Sequence, residues 1–222
     1  MKEKVLFAWS GGKDSCLALH ELKKQGSYEV VGLLTTVTEE YERVSMHGVR
    51  NGLLVRQAEE LGMSLERVYI PKECTDEKYE AVMKEALLRH KDKGVSAIGF
   101  GDLFLEDLKA YREKRLAEVG LKAVFPLWKR DTKALSREFI RLGFKAVIAC
   151  VDSQALDGSF SGREFDEQFL SELPGHVDPC GENGEFHSFV HDGPIFRGPV
   201  RFKKGGVVIR DDRFHFCELI AG

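Results

Sequence analysis

The stretch KVLFAWSGGKDSCLALHEL, residues 4–22, decides how the chain folds. Val5 to Trp9 form an uninterrupted apolar run, which predicts a buried strand. Ser10-Gly11-Gly12-Lys13-Asp14-Ser15 breaks it, and Leu17, Leu19 and Leu22 then resume at helical spacing. Strand, tight glycine turn and helix in that order open an α/β unit. Amides at such a turn converge on one point, and the helix N-terminus adds about half a positive charge there, so the turn suits a phosphate.

The same alternation continues outward. Further strands are predicted at Val30 to Val37, Arg67 to Ile70, Ala97 to Gly101 and Ala123 to Pro126. Helices are predicted at Asp14 to Gln25, Val49 to Leu61, Asp76 to Lys91 and Leu105 to Val119. Parallel strands need crossovers and helices supply them, so the fold class is α/β, a doubly wound, parallel, five-stranded sheet. Beyond Pro126 the texture changes. A helix over Thr132 to Leu142 leads into the buried strand FKAVIACVD, and glycine and proline then become frequent. The tail PVRFKKGGVVIRDDRFHFCELIAG alternates around Gly205-Gly206 and Asp211-Asp212 as an antiparallel hairpin does. Two domains are expected, residues 1–130 and a smaller α+β domain over residues 131–222.

At 222 residues and 43% hydrophobic, the chain can bury a core. Its net charge of -3 and the lack of a basic block give no footprint for capturing nucleic acid. No apolar run approaches the ~20 residues of a membrane span, and no signal-peptide core precedes the first strand, which makes the cytoplasm the expected location. Cys16, Cys74, Cys150, Cys180 and Cys217 are far apart in sequence, with no CxxC pair. That argues against a disulfide scaffold and against a structural zinc or iron–sulfur motif.

The loop lacks the GxxxxGKS/T spacing of a P-loop and the GxGxxG of a dinucleotide fold. Ser10 to Ser15 instead resemble the SGGxDS signature of the PP-loop, or N-type, ATP pyrophosphatases of the HUP-like adenine nucleotide alpha hydrolase superfamily. Within them, GDLFLEDLKAYREKRL, FPLW at residues 125–128 and CGENGEFHSFVHDGPIF at residues 180–196 are similar to the diphthine–ammonia ligase branch. This resemblance covers nearly the whole chain. It implies an ATP-dependent ligase that adenylates a carboxylate, releases pyrophosphate and then amidates the acyl group with ammonia. In archaea and eukaryotes the acceptor so implied is diphthine on elongation factor 2.

The resemblance also implies a site. Ser10, Gly11, Gly12, Lys13, Asp14 and Ser15 would cradle the ATP phosphates. Thr35 and Thr36 would contact adenine, while Gly101 and His47 would lie beside the nucleotide. Asp14 and Asp102 would anchor Mg2+ and act in catalysis. Without it, Asp102 reads equally well as the N-cap of the next helix, and His47 as a surface or capping histidine. HVDPCGENGEFHSFVHDGPIF gathers histidine, cysteine and acid side chains, but its spacing matches no metal motif. Glu182 and Glu185, between glycines, are expected to meet the acceptor and ammonia. An RNA-modifying PP-loop enzyme, a nucleotide-hydrolysing protein with another acceptor and a nucleotide sensor remain alternatives. The oligomeric state stays open, a homodimer included.

Overall fold

A computed structural model describes residues 2–39, 43–44 and 49–222. His47 lies outside the described residues. Val5, Leu6 and Phe7 are almost fully buried in strand β1 (Glu3–Ala8), so both faces of β1 are covered, as in the middle of a parallel sheet. β2 (Tyr28–Thr38) and β5 (Ala97–Gly99) flank it in parallel; β4 (Leu65–Ile70) lies outside β2 and β6 (Lys122–Val124) outside β5. The parallel order is therefore β4–β2–β1–β5–β6. β3 (Arg43–Val44), which no periodicity announces, pairs antiparallel with the end of β2.

The crossovers are α1 (Lys13–Gln25), α2 (Asn51–Leu61), α3 (Asp76–Asp92) and α4 (Glu106–Glu118). Thr75 starts α3 by accepting from the Lys78 N–H, a cap worth about 1 kcal/mol. From β1 the chain first moves to one side of the sheet and later to the other. A crevice consequently opens beyond the C-terminal ends of β1 and β5, where open α/β sheets bind ligands.

α5 (Thr132–Arg141), capped by Asp131, leads into a separate sheet of β8 (Phe186–Asp192), β7 (Lys145–Asp152), β10 (Phe214–Ala221) and β9 (Phe202–Arg210), in that order and wholly antiparallel. The hairpin turns at Asp211-Asp212, both with positive φ (52° and 49°), whereas Gly205-Gly206 lies inside β9. β8 occupies a stretch that composition alone marks as loop, because its strand FHSFVHD sits between glycine turns. A short 3-10 turn (Gly158–Phe160) and α6 (Glu167–Glu172) lie between β7 and β8. One hydrophobic cluster runs from Phe7 and Leu19 of the first sheet layer to Phe139, Val147 and Phe189 of the second. No described helix is long and apolar enough to cross a membrane.

Candidate nucleotide and acceptor site

The turn after β1 is closed by its own serines. Gly12 N–H donates to Ser10 Oγ (3.3 Å), Ser15 Oγ donates to the Gly12 carbonyl (2.9 Å), and the two hydroxyls are 3.2 Å apart. Gly12 is the N-cap of α1, and its carbonyl accepts the first helical bond from Cys16 N (3.1 Å). The Asp14 and Ser15 amides lie in the first turn, where no intrahelical acceptor exists, so they add to the positive end of the helix dipole. Gly11 has φ +76°, and a Cβ there would stand 2.5 Å from Gln57 Oε1. Only glycine fits that position.

Gln57 is fully buried and holds the turn from behind. Its Nε2 donates to the carbonyls of Gly11 (2.9 Å) and Val190 (2.6 Å), and its Oε1 accepts from Trp9 Nε1 (3.0 Å). The Val190 N–H also donates to Gly11 O (2.9 Å), and the Lys13 N–H to Ser188 Oγ (3.1 Å). β8 thus lies directly against the loop. A Cβ on Gly12 would approach the Ser188 carbonyl at 3.1 Å, toward β8.

Lys13, expected to face phosphate, turns the other way. It is 4% exposed, with Nζ 5.3 Å from the centre of the Phe186 ring, and it donates to Asp14 Oδ2 (2.8 Å) and to the Cys180 carbonyl. Burial alone would lower its pKa, but Asp14 outweighs that and holds the ammonium above its ordinary value. The lysine ties the loop to the C-terminal motif.

A cavity of about 570 Å³ runs from this loop along the sheet face between α3 and α4. Ser10, Asp14, Ser15, Thr35, Thr36, Gly101, Asp102 and Glu182 all border it. Thr35 Oγ1 is buried there without a hydrogen-bond partner among the described residues. Gly101 sits against the first turn of α1: a Cβ would come within 2.9 Å of Ser15 N and of the Asp14 carbonyl carbon. Those are backbone atoms that cannot swing aside. Gly101→Ala should therefore separate β5 from the loop, lowering ATP affinity about tenfold and stability by about 1–3 kcal/mol, to be read by calorimetric titration and thermal melting.

Asp102 is 9% exposed at its side chain; Arg112 Nη2 of α4 donates to its Oδ1 (3.1 Å), while Nε stands 3.0 Å from Oδ2 as an ion pair without hydrogen-bond geometry, so that Oδ2 is buried with no hydrogen-bond partner among the described residues. The guanidinium also lies 4.3 Å from the centre of the Phe100 ring. The N-cap of α4 is Leu105, so Asp102 caps no helix. Among the described residues no three histidine, cysteine or acidic side chains are grouped to hold a metal ion.

Of the two motif glutamates, one reaches the cavity. Glu182 Oε1 accepts from the amides of Leu103 (2.7 Å) and Phe104 (3.4 Å), fastening the C-terminal motif to the turn after β5. Burial pushes its carboxyl up to about 7, against the downward pull of the Leu103 N–H, and the nearby Asp14 charge adds to the rise. Glu185 is instead 6% exposed and spent within its own loop. Its Oε1 takes the Asp178 N–H (3.0 Å) and Asn183 Nδ2 (2.9 Å), and its Oε2 takes the Asn183 N–H (3.0 Å). Glu185, expected to meet ammonia, does not border the cavity and shapes the loop that presents Glu182.

His187, next along β8, is held neutral. Burial and the Lys13 charge lower its pKa to about 4, with Glu185 opposing. Its unfolded value is near 6.5, so its contribution to stability is complete above that pH and disappears as pH falls toward 4. Between pH 7 and 5 the loss should be about 2 kcal/mol. Urea unfolding of wild type and His187→Gln at the two pH values checks this, the variant showing the flatter dependence.

Gln57 lies in no motif, and Arg112 and Ser188, though inside the two quoted motifs, are revealed as functional only by their partners across the fold. A parallel sheet in this order, with a glycine turn at its switch point, defines an α/β protein of the PP-loop, adenine nucleotide alpha hydrolase-like class. The chain belongs to the diphthamide synthase family: the family model of the N-terminal domain matches residues 1–123 and that of the C-terminal domain residues 131–214. It is 26% identical over 222 residues to the human diphthine–ammonia ligase, covering 90% of this chain and 83% of the relative. The zebrafish (Danio rerio) diphthine–ammonia ligase is 27% identical over 225 residues, 91% of this chain and 88% of the relative. The Schizosaccharomyces pombe ligase is 27% identical over 87% of this chain, which spans only 35% of that longer protein. A solved structure of the U34-tRNA thiolase NcsA from Methanococcus maripaludis aligns with 64% of this chain and 57% of its own, at a TM-score of 0.41 and 18% identity.

Proposed function

We propose that the chain is an ATP-dependent amide ligase that activates a carboxylate as its acyl-adenylate, releases pyrophosphate and AMP, and joins ammonia to the acyl group. The observation that carries this reading is the meeting of two motifs in one cavity. Asp14 comes from the glycine turn and Glu182 from the C-terminal motif, which Glu182 fastens to the turn carrying Asp102. Residues 1–130 then form the nucleotide half and residues 131–222 the acceptor half. The relatives' name supports diphthine as the carboxylate, presented on elongation factor 2.

Oxide is too poor a leaving group for an amine to displace from a carboxylate, whereas AMP is a good one, so cleavage of the α–β bond supplies the drive. The Asp14 and Ser15 amides suit the polyphosphate, and the unpartnered Thr35 hydroxyl suits the nucleoside end. Mg2+ would neutralise the phosphates; Asp14 and Asp102 both border the cavity and fit as its protein ligands, Asp14 through the oxygen that Lys13 does not take and Asp102 through Oδ2, which has no hydrogen-bond partner among the described residues. Glu182 orients ammonium and takes a proton from it, and the ammonia so formed uses its freed lone pair to attack the acyl carbon and displace AMP. Sulfur transfer finds little support, since burial pushes the Cys150 thiol up to about 12 and raises that of Cys180 as well.

The test is release of pyrophosphate and AMP from ATP with diphthine-bearing elongation factor 2, with and without ammonium. Stoichiometric AMP and amide, both dependent on the acceptor, are expected. ATP cleavage that ignores the acceptor would overturn the ligase reading.

A further inference from the structure

The glycine turn has one lysine of its own, and Lys13 is buried away from the cavity against Asp14 and the Cys180 carbonyl. Three carboxylates, Asp14, Asp102 and Glu182, border the cavity near the turn. A polyphosphate brought there meets like charge, against which the helix N-terminus sets about half a positive charge. Among the described residues, the cationic side chains bordering the cavity are Lys84, Arg112 and Arg115. Lys84 is exposed, and Arg115 is engaged with Glu80 and Glu118. Arg112 stands nearest the turn: its partner Asp102 follows Gly101, which packs so closely on α1 that a Cβ would stand 2.9 Å from Ser15 N.

We propose that Arg112 is a further catalytic residue, the cation that meets the α-phosphoryl group of ATP, with Asp102 and the Phe100 ring holding its guanidinium at the cavity wall. This role rests on the reading of the cavity as the ATP site. The hold is a partial one. Nη2 donates to Asp102 Oδ1 (3.1 Å), whereas Nε, 3.0 Å from Oδ2, makes no hydrogen bond and has no other partner among the described residues. A guanidinium has more donors than that one bond uses, and its planar fork matches the oxygens of a phosphoryl group two at a time. Phe100, 4.3 Å from the guanidinium, supports the face of the fork and leaves its edge to an anion.

The reaction needs such a cation at that place. As an oxygen of the acceptor carboxylate bonds to the α-phosphorus, the bond from phosphorus to the bridging oxygen breaks, and its electron pair leaves with pyrophosphate. The non-bridging oxygens of the α-phosphoryl group are negative throughout, and the nucleophile is itself an anion. A guanidinium on those oxygens lowers the repulsion as the carboxylate approaches and stabilises the charge of the transition state. The acceptor carboxylate is the other anion that a guanidinium suits. The packing of Gly101 on the first turn of α1 sets Arg112 beside the phosphate-binding amides, which favours the phosphoryl group.

Calorimetric titration of the full chain with adenosine, AMP and ATP tests the proposal without acceptor or ammonia. In R112Q the affinity for AMP is expected to fall about tenfold or more while that for adenosine stays within about twofold, and R112K should recover part of the loss. Pyrophosphate release at saturating ATP and acceptor should fall about a hundred- to a thousandfold in R112Q. A residue acting only through Asp102 would add nothing once that carboxylate is gone, so AMP affinity is also compared between D102N and D102N/R112Q, where a further loss is expected. The double variant leaves neither charge unpaired, so it reads the same question if R112Q alone fails to fold. An unchanged ratio of AMP to adenosine affinity in folded R112Q, or no further loss in D102N/R112Q, would overturn the proposal. So would a raised KM for the acceptor with AMP affinity intact, which would assign the guanidinium to the carboxylate. ATP cleavage that ignores the acceptor would sink the ligase reading and leave the nucleotide affinities as the measure of Arg112.

Discussion

Replacing Glu182 with glutamine should lower amide formation by about two to three powers of ten while leaving ATP affinity within a few-fold of wild type. Glutamine keeps an oxygen where Oε1 accepts from the Leu103 amide, so the turn after β5 stays fastened. What it loses is a carboxylate able to take a proton from ammonium. Glu182→Ala removes the fastening as well. It should add a stability loss of about 1–3 kcal/mol, because the Leu103 N–H loses its acceptor. The matched control is Glu185→Gln, which disturbs the loop from within and should act on stability before chemistry, since among the described residues its carboxylate accepts from Asp178 and Asn183 of the same loop. Single-turnover amide formation, ATP titration and urea unfolding on the three variants separate these effects. Normal amide formation in Glu182→Gln would remove the residue from the chemistry.

Gln57→Leu should damage the loop severely. Leucine matches the volume but provides none of the hydrogen bonds, so the Trp9 indole N–H is orphaned and the Val190 and Gly11 carbonyls each lose a donor. Unmet polar groups in a fully buried place cost about 1–3 kcal/mol each, which for the Trp9 N–H and the Val190 carbonyl gives a total of about 2–6 kcal/mol, Gly11 keeping its bond from Val190. The loop would also lose the brace that holds Gly11 in its left-handed conformation, and ATP affinity should fall ten- to a hundredfold. Gln57→Glu retains an acceptor for Trp9 but sets a carboxylate against two carbonyls, and should be worse still. Urea unfolding with an unchanged m-value and calorimetric titration with ATP read the two consequences. A variant with wild-type stability would show that the turn is held by β8 alone.

The sequence by itself determined the first sheet, because its signals are local. Val5 to Trp9, the glycine turn and the leucines after it state strand, turn and helix within nineteen residues, and the same period change repeats down the chain. Helix ends were legible to within a few residues for the same reason. The glycine loop was legible as an anion site, since convergent amides at a helix N-terminus follow from local geometry alone. β8 was not: seven residues of strand between glycine turns give a periodic signal too short to outweigh the turns. The hairpin turn fell on Asp211-Asp212 and not on the glycines because those aspartates tolerate positive φ, while Gly205-Gly206 serve an extended strand.

Side-chain direction was decided by the tertiary structure. Lys13 belongs to the loop in sequence, yet helix geometry aims it at Cys180 and the aromatic rings of the second layer. Asp102 could be read as a cap until the fold set Leu105 at the start of α4 and Arg112, ten residues on, against the Asp102 carboxylate. Glu182 and Glu185 are chemically alike and three positions apart, but only the first meets another element. The physical reason is common to all three cases. A local pattern fixes backbone periodicity, whereas the partner of a charged or polar side chain is set by which distant segment is packed against it.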